Sequence, residues 1–390
     1  MLELKQTIEN LTPKLMEIFT HLHTNPEISW EEYNTTAYIK ELFKDLPCRI
    51  TPFKQTTGLM IEIGSGKPVI GLRADIDALY QEVDGTFQAN HSCGHDAHMS
   101  IVIGTLYTLL EGGYPDKGTF RFIFQPAEEK GKGALALVEE GIIDDMDFLY
   151  GMHVRPVQEL RYQEFAPAIQ HGAARFVEGK IRGNDAHGAR PHLTVNAIQV
   201  GSELVQHISN INIDPMIPYS IKMTSFQAGG KSANIIPGSA TFSIDIRAQT
   251  NEAMETLMNK LERISENIAS MHDVEIDLDI GANVAAAVIN EEAIAVMREA
   301  IIECEGEENL VPMITTTGGD DFHFYTIKRP DIKATMLAIG CDVQPGLHHP
   351  KMTFNHDIIP HAVEILTQAL IKTAVKHSQG YKEAFDGESN

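Results

Sequence analysis

Basic residues are scarce in this chain: 31 Lys and Arg stand against 54 Asp and Glu, a formal net charge of −23 at pH 7. Such a surface repels polyanions, and phosphate binding needs clustered cations that release counterions, so nucleic acid is excluded as a partner. Long apolar runs are lacking too. No stretch approaches the roughly 18 consecutive apolar residues of a membrane span, and the opening MLELKQTIENL has no basic region followed by an apolar core. No membrane partner is therefore expected, and the cytoplasm is the expected location. Cysteine is sparse: Cys48, Cys93, Cys304 and Cys341 lie far apart, unlike the dense pattern of a disulfide scaffold. What is plentiful is core material, since 43% of the 390 residues are hydrophobic, and that length predicts more than one domain.

The densest chemistry lies in His91-Ser92-Cys93-Gly94-His95-Asp96-Ala97-His98, with three imidazoles, a thiol and a carboxylate in eight residues. That density points to a metal site, against the plainer reading of a structural polar cluster. Gly94 lets the backbone take whatever φ a turn between Cys93 and His95 requires. A helix is expected to start close to Asp96, which is placed either to cap it or to hold a ligating imidazole by its second nitrogen.

Apolar spacing predicts an amphipathic helix over residues 4–19, bent or interrupted by Pro13, then a loop from His21 to Glu27 and a second helix over 31–43. Residues 68–72, 119–124 and 147–152 read as buried strands that deliver Asp75, Glu128 with Glu129, and His153 at their carboxyl ends. Helical patterns over 97–110 and 133–140 lie between them. Strands alternating with buried helices imply a largely parallel α/β sheet, with its active site beyond the carboxyl ends of the strands.

The pattern changes near His171. Strand, helix, strand, strand, helix and strand follow in the order β-α-β-β-α-β, with strict period-two alternation over 240–247. Residues 171–283 therefore read as an inserted α+β, ferredoxin-like domain. The α/β pattern resumes from about 285 and closes with a helix over 360–376.

Glu128 and Glu129 are adjacent, so their side chains diverge: one can bind metal while the other moves protons, which is what hydrolysis by metal-activated water requires. Elsewhere an adjacent Glu pair is usually a solvated helix start. His348 or His349 could supply a late imidazole. His187 and His192 sit in a polar loop, where a functional group and an exposed turn residue are equally good readings. Arg247 lies on the polar face of a one-sided strand, where it could clamp a carboxylate or simply face water.

The ordered succession LRADIDAL, HSCGHDAH, FQPAEE, GMHVRP, RGNDAHGARPH, GGKSANIIP, GGDDF and LHHP resembles the M20 metallopeptidase family, in its amidohydrolase and aminoacylase branch. The resemblance spans nearly the whole chain. It implies a catalytic domain made of residues 1–170 and 284–390, with a mainly parallel central sheet flanked by helices, and a lid and dimerisation domain over 171–283. Two divalent metal ions are implied, zinc first, with manganese or cobalt as alternatives. By resemblance Cys93, His95, Glu129, His153 and His348 hold them, Glu128 is the general acid and base, and Asp75 and Asp96 orient ligands. His187 would stabilise the oxyanion, and Asn234 and Arg247 would meet the substrate carboxylate. The implied reaction is cleavage of the amide bond in an N-acyl amino acid or related small amide, by a homodimer or higher oligomer joined through the lid.

An M20 dipeptidase or carboxypeptidase is the rival within hydrolysis. A silent metal-binding homologue is disfavoured because a binder needs no carboxylate beyond its ligands, and catalysis by Cys93 as nucleophile is disfavoured because a metal-bound thiolate is a ligand. Three segments depart from the family pattern: Leu79-Tyr80-Gln81-Glu82-Val83-Asp84 replaces a Pro and an apolar residue, Asn184-Asp185-Ala186-His187 replaces a glycine-richer loop, and Asp320-Asp321-Phe322 replaces Glu-Asp-Phe. These segments line the pocket in that family and so bear on substrate identity.

Overall fold

The computed structural model describes residues 2–386. The chain forms two compact units, one made of residues 1–170, 288–314 and 321–390, the other of residues 171–287 and 315–320. The second unit extends beyond the expected 171–283. The Ala287 N–H donates to the His171 carbonyl at 3.0 Å and the Gly172 N–H donates to the Thr316 carbonyl at 3.1 Å, which sews both extra segments to the two residues that lead into strand Ala173–Arg182.

The first unit is built on a seven-stranded sheet in the order Arg49–Pro52, Leu59–Ser65, Gly118–Gln125, Val69–Asp75, Phe148–Pro156, Lys333–Val343 and Phe165–Ala166. Its four central strands run parallel, with Ile70 opposite both Phe120 and Phe148, and Ala338 opposite His153. Near-continuous apolar runs are what a strand covered on both faces demands, and Gly118–Gln125 and Val69–Asp75 are buried along their whole length. The outer strands pair antiparallel.

Helices Leu2–Thr24, His95–Glu111, Glu291–Glu305 and Ile358–Asp386 pack on one another and on this sheet. His95–Glu111 is buried from His95 through Leu109, which accounts for its apolar character on nearly every side. Residues 358–378 are long and apolar enough to cross a membrane by length and composition, with a mean hydropathy of 1.2, yet 67% of that span is buried inside the protein, as befits a core helix.

The first helix runs longer than expected and is not interrupted at Pro13. It passes through Pro13 and continues to Thr24, taking in His21 and His23, which had been expected in a loop. Leu11, Leu15, Ile18, Phe19 and Leu22 form a buried stripe on both sides of the proline, and that burial outweighs the lost backbone hydrogen bond.

The second unit is a four-stranded antiparallel sheet in the order Tyr219–Ala228, Ala240–Ala248, Ala173–Arg182, Glu275–Val284, with helices Ala197–Ser209 and Asn251–His272. In chain order this is the expected β-α-β-β-α-β. Ala240, Phe242, Ile244, Ile246 and Ala248 are buried, and the two helices add Leu204, Leu257 and Leu261 to the same core. Asn196 and Thr250 cap the helices by accepting from the Ile198 and Ala253 N–H groups.

Candidate metal centre

The site grows from the ends of the parallel strands. Asp75 and Gln125 close their strands, and His153 lies in Phe148–Pro156. Helix His95–Glu111 starts after Gly94, which has φ +87°, and a Cβ there would lie 2.5 Å from Val154 Cγ2. Only glycine meets both conditions.

The donors gather around this turn. Cys93 Sγ lies 3.5 Å from His153 Nε2, and His153 Nδ1 is 2.6 Å from the Val154 carbonyl. His95 Nδ1 donates to the Asp77 carbonyl at 2.8 Å, which directs its Nε2 inward. That Nε2 is 3.9 Å from a carboxylate oxygen of each of Glu128 and Glu129. His348 Nε2 is 3.6 Å from Glu129 Oε1. Among the described residues five sets of donor atoms each fall within 4.8 Å: Cys93, His95 and His153; Asp75, His95 and His98; Cys93, Glu129 and His348; His95, Glu128 and Glu129; and Glu128, Asp320 and Asp321.

Two buried atoms here, His95 Nε2 and Glu129 Oε1, make no hydrogen bond. An unsatisfied buried polar atom costs about 1–3 kcal/mol, and a divalent cation between them would satisfy both. The mixture of thiol, imidazole and carboxylate suits such an ion, so the residues fit a metal centre. Burial, reinforced by the charges of Asp77 and Asp75, pushes the Glu129 carboxyl up to about 7 against the opposing charge of His95. Burial and then the Glu129 charge push the Cys93 thiol well above its usual range. A bound cation reverses this direction, because a coordinating thiol is deprotonated.

Glu128 and Glu129 open a single 3₁₀ turn, Glu128–Lys130, after Ala127 with φ +53°. The Ala127 N–H donates to Glu32 Oε1 at 2.9 Å, the Glu128 N–H to Asp77 Oδ1 at 3.1 Å and the Glu129 N–H to Asp77 Oδ2 at 3.0 Å. Ser29 Oγ donates to Asp77 Oδ2 at 2.6 Å. Burial works against the charged form, but hydrogen bonds from His95, Ser29 and the Glu129 N–H hold the Asp77 carboxyl below its ordinary range. Asp77 thus fixes both the tautomer of His95 and the splay of the two glutamates.

Sequence reasoning missed Asp77, Ser29 and Glu32. The signal for Asp77 was the Asp-x-Asp spacing in Arg73-Ala74-Asp75-Ile76-Asp77; Ser29 and Glu32 lie in what reads as plain scaffold.

Of Asp75 and Asp96, expected to orient ligands, Asp75 Oδ2 lies 3.7 Å from His95 Nε2, while Asp96 turns to His23. Asp75 Oδ1 accepts from His98 Nδ1 at 2.7 Å and its Oδ2 from Arg73 at 2.6 Å. His98 Nε2 in turn accepts from the Val154 N–H at 3.1 Å, so both nitrogens of that imidazole are used. Asp96 pairs with His23 Nδ1 at 2.6 Å, and Gly94 occupies the N-cap position in its stead. Arg73 also donates to Asp321 at 2.9 Å, a carboxylate that accepts from Gln125 and the Ala134 N–H as well. His349 is exposed and its Nδ1 accepts from the Lys351 N–H, so His348 is the imidazole facing Glu129.

In the second unit, His187 lies opposite Ile235 in the short ladder of Ala186–His187 with Ile235–Ile236. Its ring is exposed and its Nδ1 accepts from the Ala189 N–H at 3.0 Å, while the neighbouring Asn234 carbonyl accepts from the Gly188 N–H at 2.7 Å. His192 is exposed in the turn Pro191–Leu193. Arg247 donates to Asp245 at 2.8 Å and lies 4.9 Å from the Phe176 ring centre, so its guanidinium is braced on its own sheet.

A cluster of thiol, imidazole and carboxylate donors at the strand ends of an α/β unit, with a second α+β unit set into the chain, defines the class of protein. The chain belongs to peptidase family M20/M25/M40, whose sequence profile matches residues 71–372. It is 29% identical over 365 residues to the N-acetyl-L-cysteine deacetylase of Bacillus subtilis, covering 90% of this chain and 86% of that one. Against the N-acetyldiaminopimelate deacetylase of Streptococcus thermophilus it is 30% identical over 372 residues, covering 90% and 97%. Among solved structures it superposes with a TM-score of 0.79 on the YXEP protein of Bacillus subtilis, a dinuclear metal-binding M20 peptidase, at 25% identity and over 94% and 99% of the two chains.

Proposed function

We propose that this chain is a metal-dependent amidohydrolase that uses water to cleave the amide bond of N-acyl amino acids or related small amides. The observation that carries the reading is the Glu128–Glu129 turn, held through successive N–H groups by Asp77 beside the inward-facing Nε2 of His95. It offers one carboxylate for a cation and another for protons. Both named relatives are deacetylases of N-acetyl compounds, which supports an N-acyl amino acid as the substrate class.

Cys93, His95, Glu129, His153 and His348 are the residues that would hold a pair of divalent ions, zinc first, with manganese or cobalt as alternatives. When bound, such ions polarise the scissile carbonyl and lower the pKa of water. Glu128 takes the proton of the attacking water and returns it to the leaving nitrogen. Asp77 keeps the His95 Nδ1 proton in place. We assign His187 to the oxyanion, and Asn234 and Arg247 to the substrate carboxylate, Arg247 exchanging Asp245 for the ligand. The cytoplasm is the proposed location, and a homodimer or higher oligomer through the second unit the proposed assembly, which light scattering of the purified protein tests.

The decisive experiment is hydrolysis of N-acetyl, N-benzoyl and dipeptide substrates by wild type and Glu128→Gln, after chelation and after return of zinc, manganese or cobalt. Turnover should vanish on chelation, return with metal and fall by about 10²–10⁴ in Glu128→Gln. Activity that persists in the chelated protein or in Glu128→Gln refutes the mechanism, and exclusive cleavage of dipeptides with a free amino group makes the chain a dipeptidase.

A further inference from the structure

Strands Leu79–Val83 and Thr86–Asn90 form a hairpin that begins four residues after Asp75. Side chains alternate across it, so Gln81, Gln88 and Asn90 share one face, and Tyr80 and Phe87 pack ring to ring on the other. The first face grips the segment that carries His348. Gln81 Nε2 donates to the His348 carbonyl at 3.0 Å, and Asn90 Nδ2 donates to the Pro350 carbonyl at 3.0 Å and to Gln81 Oε1 at 2.8 Å. Asp84 at the hairpin turn pairs with Lys351 at 2.8 Å.

His348 needs such a grip. Its φ of +65° is left-handed, which costs a residue with a side chain about 1–2 kcal/mol. Its side chain is 55% exposed, whereas Cys93, His95 and His153 are buried. Packing helps immobilise the buried thiol and imidazoles; His348 depends on hydrogen bonds to its backbone, from the hairpin and through its own N–H to the Ser92 carbonyl at 2.7 Å.

We propose that Gln81 and Asn90 are positioning residues for His348, and that the hairpin thereby sets the affinity of the cation held by Cys93, Glu129 and His348. The proposal rests on the reading of His348 as a ligand. A side chain that holds a ligand in place is worth about 10–100-fold in metal affinity.

The test is calorimetric titration of the metal-free full-length protein with zinc and with cobalt, comparing wild type, Gln81→Met, Gln88→Ala and His348→Ala. Gln81→Met keeps the side-chain length and removes the amide, and Gln88→Ala trims the residue directly across the hairpin. Gln81→Met should weaken one of two equivalents by about tenfold and leave the other equivalent and the thermal midpoint of the metal-free protein unchanged. Gln88→Ala should bind as wild type does, and His348→Ala should lose more than Gln81→Met. Wild-type binding by His348→Ala overturns the ligand reading itself. Weakened His348→Ala beside wild-type Gln81→Met overturns the positioning role alone, as does equal weakening of both equivalents by Gln81→Met.

Discussion

Asp77→Asn is the most informative single substitution outside the donor set. The buried carboxylate accepts from three donors, the part-buried Glu128 and Glu129 N–H groups and the buried Ser29 Oγ. Asparagine keeps one acceptor oxygen and turns an NH2 towards the remaining donors, so one or two of the three lose their partner. At about 1–3 kcal/mol for each orphaned buried group, the expected loss is about 2–4 kcal/mol. With urea slopes of about 1–3 kcal/mol per molar, the midpoint of metal-free protein should fall by about 1 M. The 2.8 Å bond from His95 Nδ1 to the Asp77 backbone carbonyl survives, while the 3.4 Å contact of that nitrogen with Asp77 Oδ1 loses its charge. Ser29→Ala removes one donor and should cost about 1 kcal/mol in wild type, but a different amount in the Asp77→Asn background, where the hydroxyl no longer faces a carboxylate. Urea melts of the four proteins complete the cycle. An unchanged midpoint in Asp77→Asn, or strict additivity with Ser29→Ala, would falsify the account of Asp77 as the clamp of this turn.

Gly94→Ala should lower stability by about 2–4 kcal/mol, combining a left-handed φ with overpacking against Val154; a thermal midpoint equal to wild type in differential scanning calorimetry rules that out. The Glu305 hydrogen bond raises the His361 pKa against opposing burial. A raised histidine contributes stability in full below its unfolded value near 6.5 and loses it as pH rises through the folded value. The gap between wild type and Glu305→Gln should therefore narrow from pH 5.5 to pH 9, starting below about 1 kcal/mol because His361 is one-third exposed; a gap that widens refutes the pairing. Chelation should lower the thermal midpoint of metal-loaded protein and metal should restore it, by mass action on the folded state; midpoints indifferent to both show that the donor cluster holds no ion.

The central strands were legible because burial on both faces leaves a continuous apolar run, and Ala240–Ala248 because burial on one face leaves a period of two. The donors were legible because Cys93, His95, Glu129 and His153 stand at or near strand ends. The hairpin Leu79–Asn90 was not, since it mixes polar and apolar residues on both faces and is held by contacts to residues more than 250 positions later. The last turn of the first helix was hidden for a similar reason: His23 has no local periodic signal, and its partner is Asp96. Asp77 escaped notice because it lies two residues past a strand whose end looked complete at Asp75, and its role depends on Ser29 and Glu129 arriving from distant segments.

Arg73 gives the discontinuous catalytic unit an order of assembly. Its buried guanidinium joins Asp75, two residues away, to Asp321, made 248 residues later. Strand Lys333–Val343 likewise slots between Phe148–Pro156 and Phe165–Ala166. A nascent chain that has emerged only to residue 170 therefore lacks one counterion for Arg73 and has an open sheet edge, both costly and prone to wrong pairing. The second unit, with its own core, can close while the first waits. Synthesis would leave a window in which the family's hydrolytic half exists only as a template, and any chaperone that guards this protein on the ribosome has the exposed edge of Phe148–Pro156 to cover.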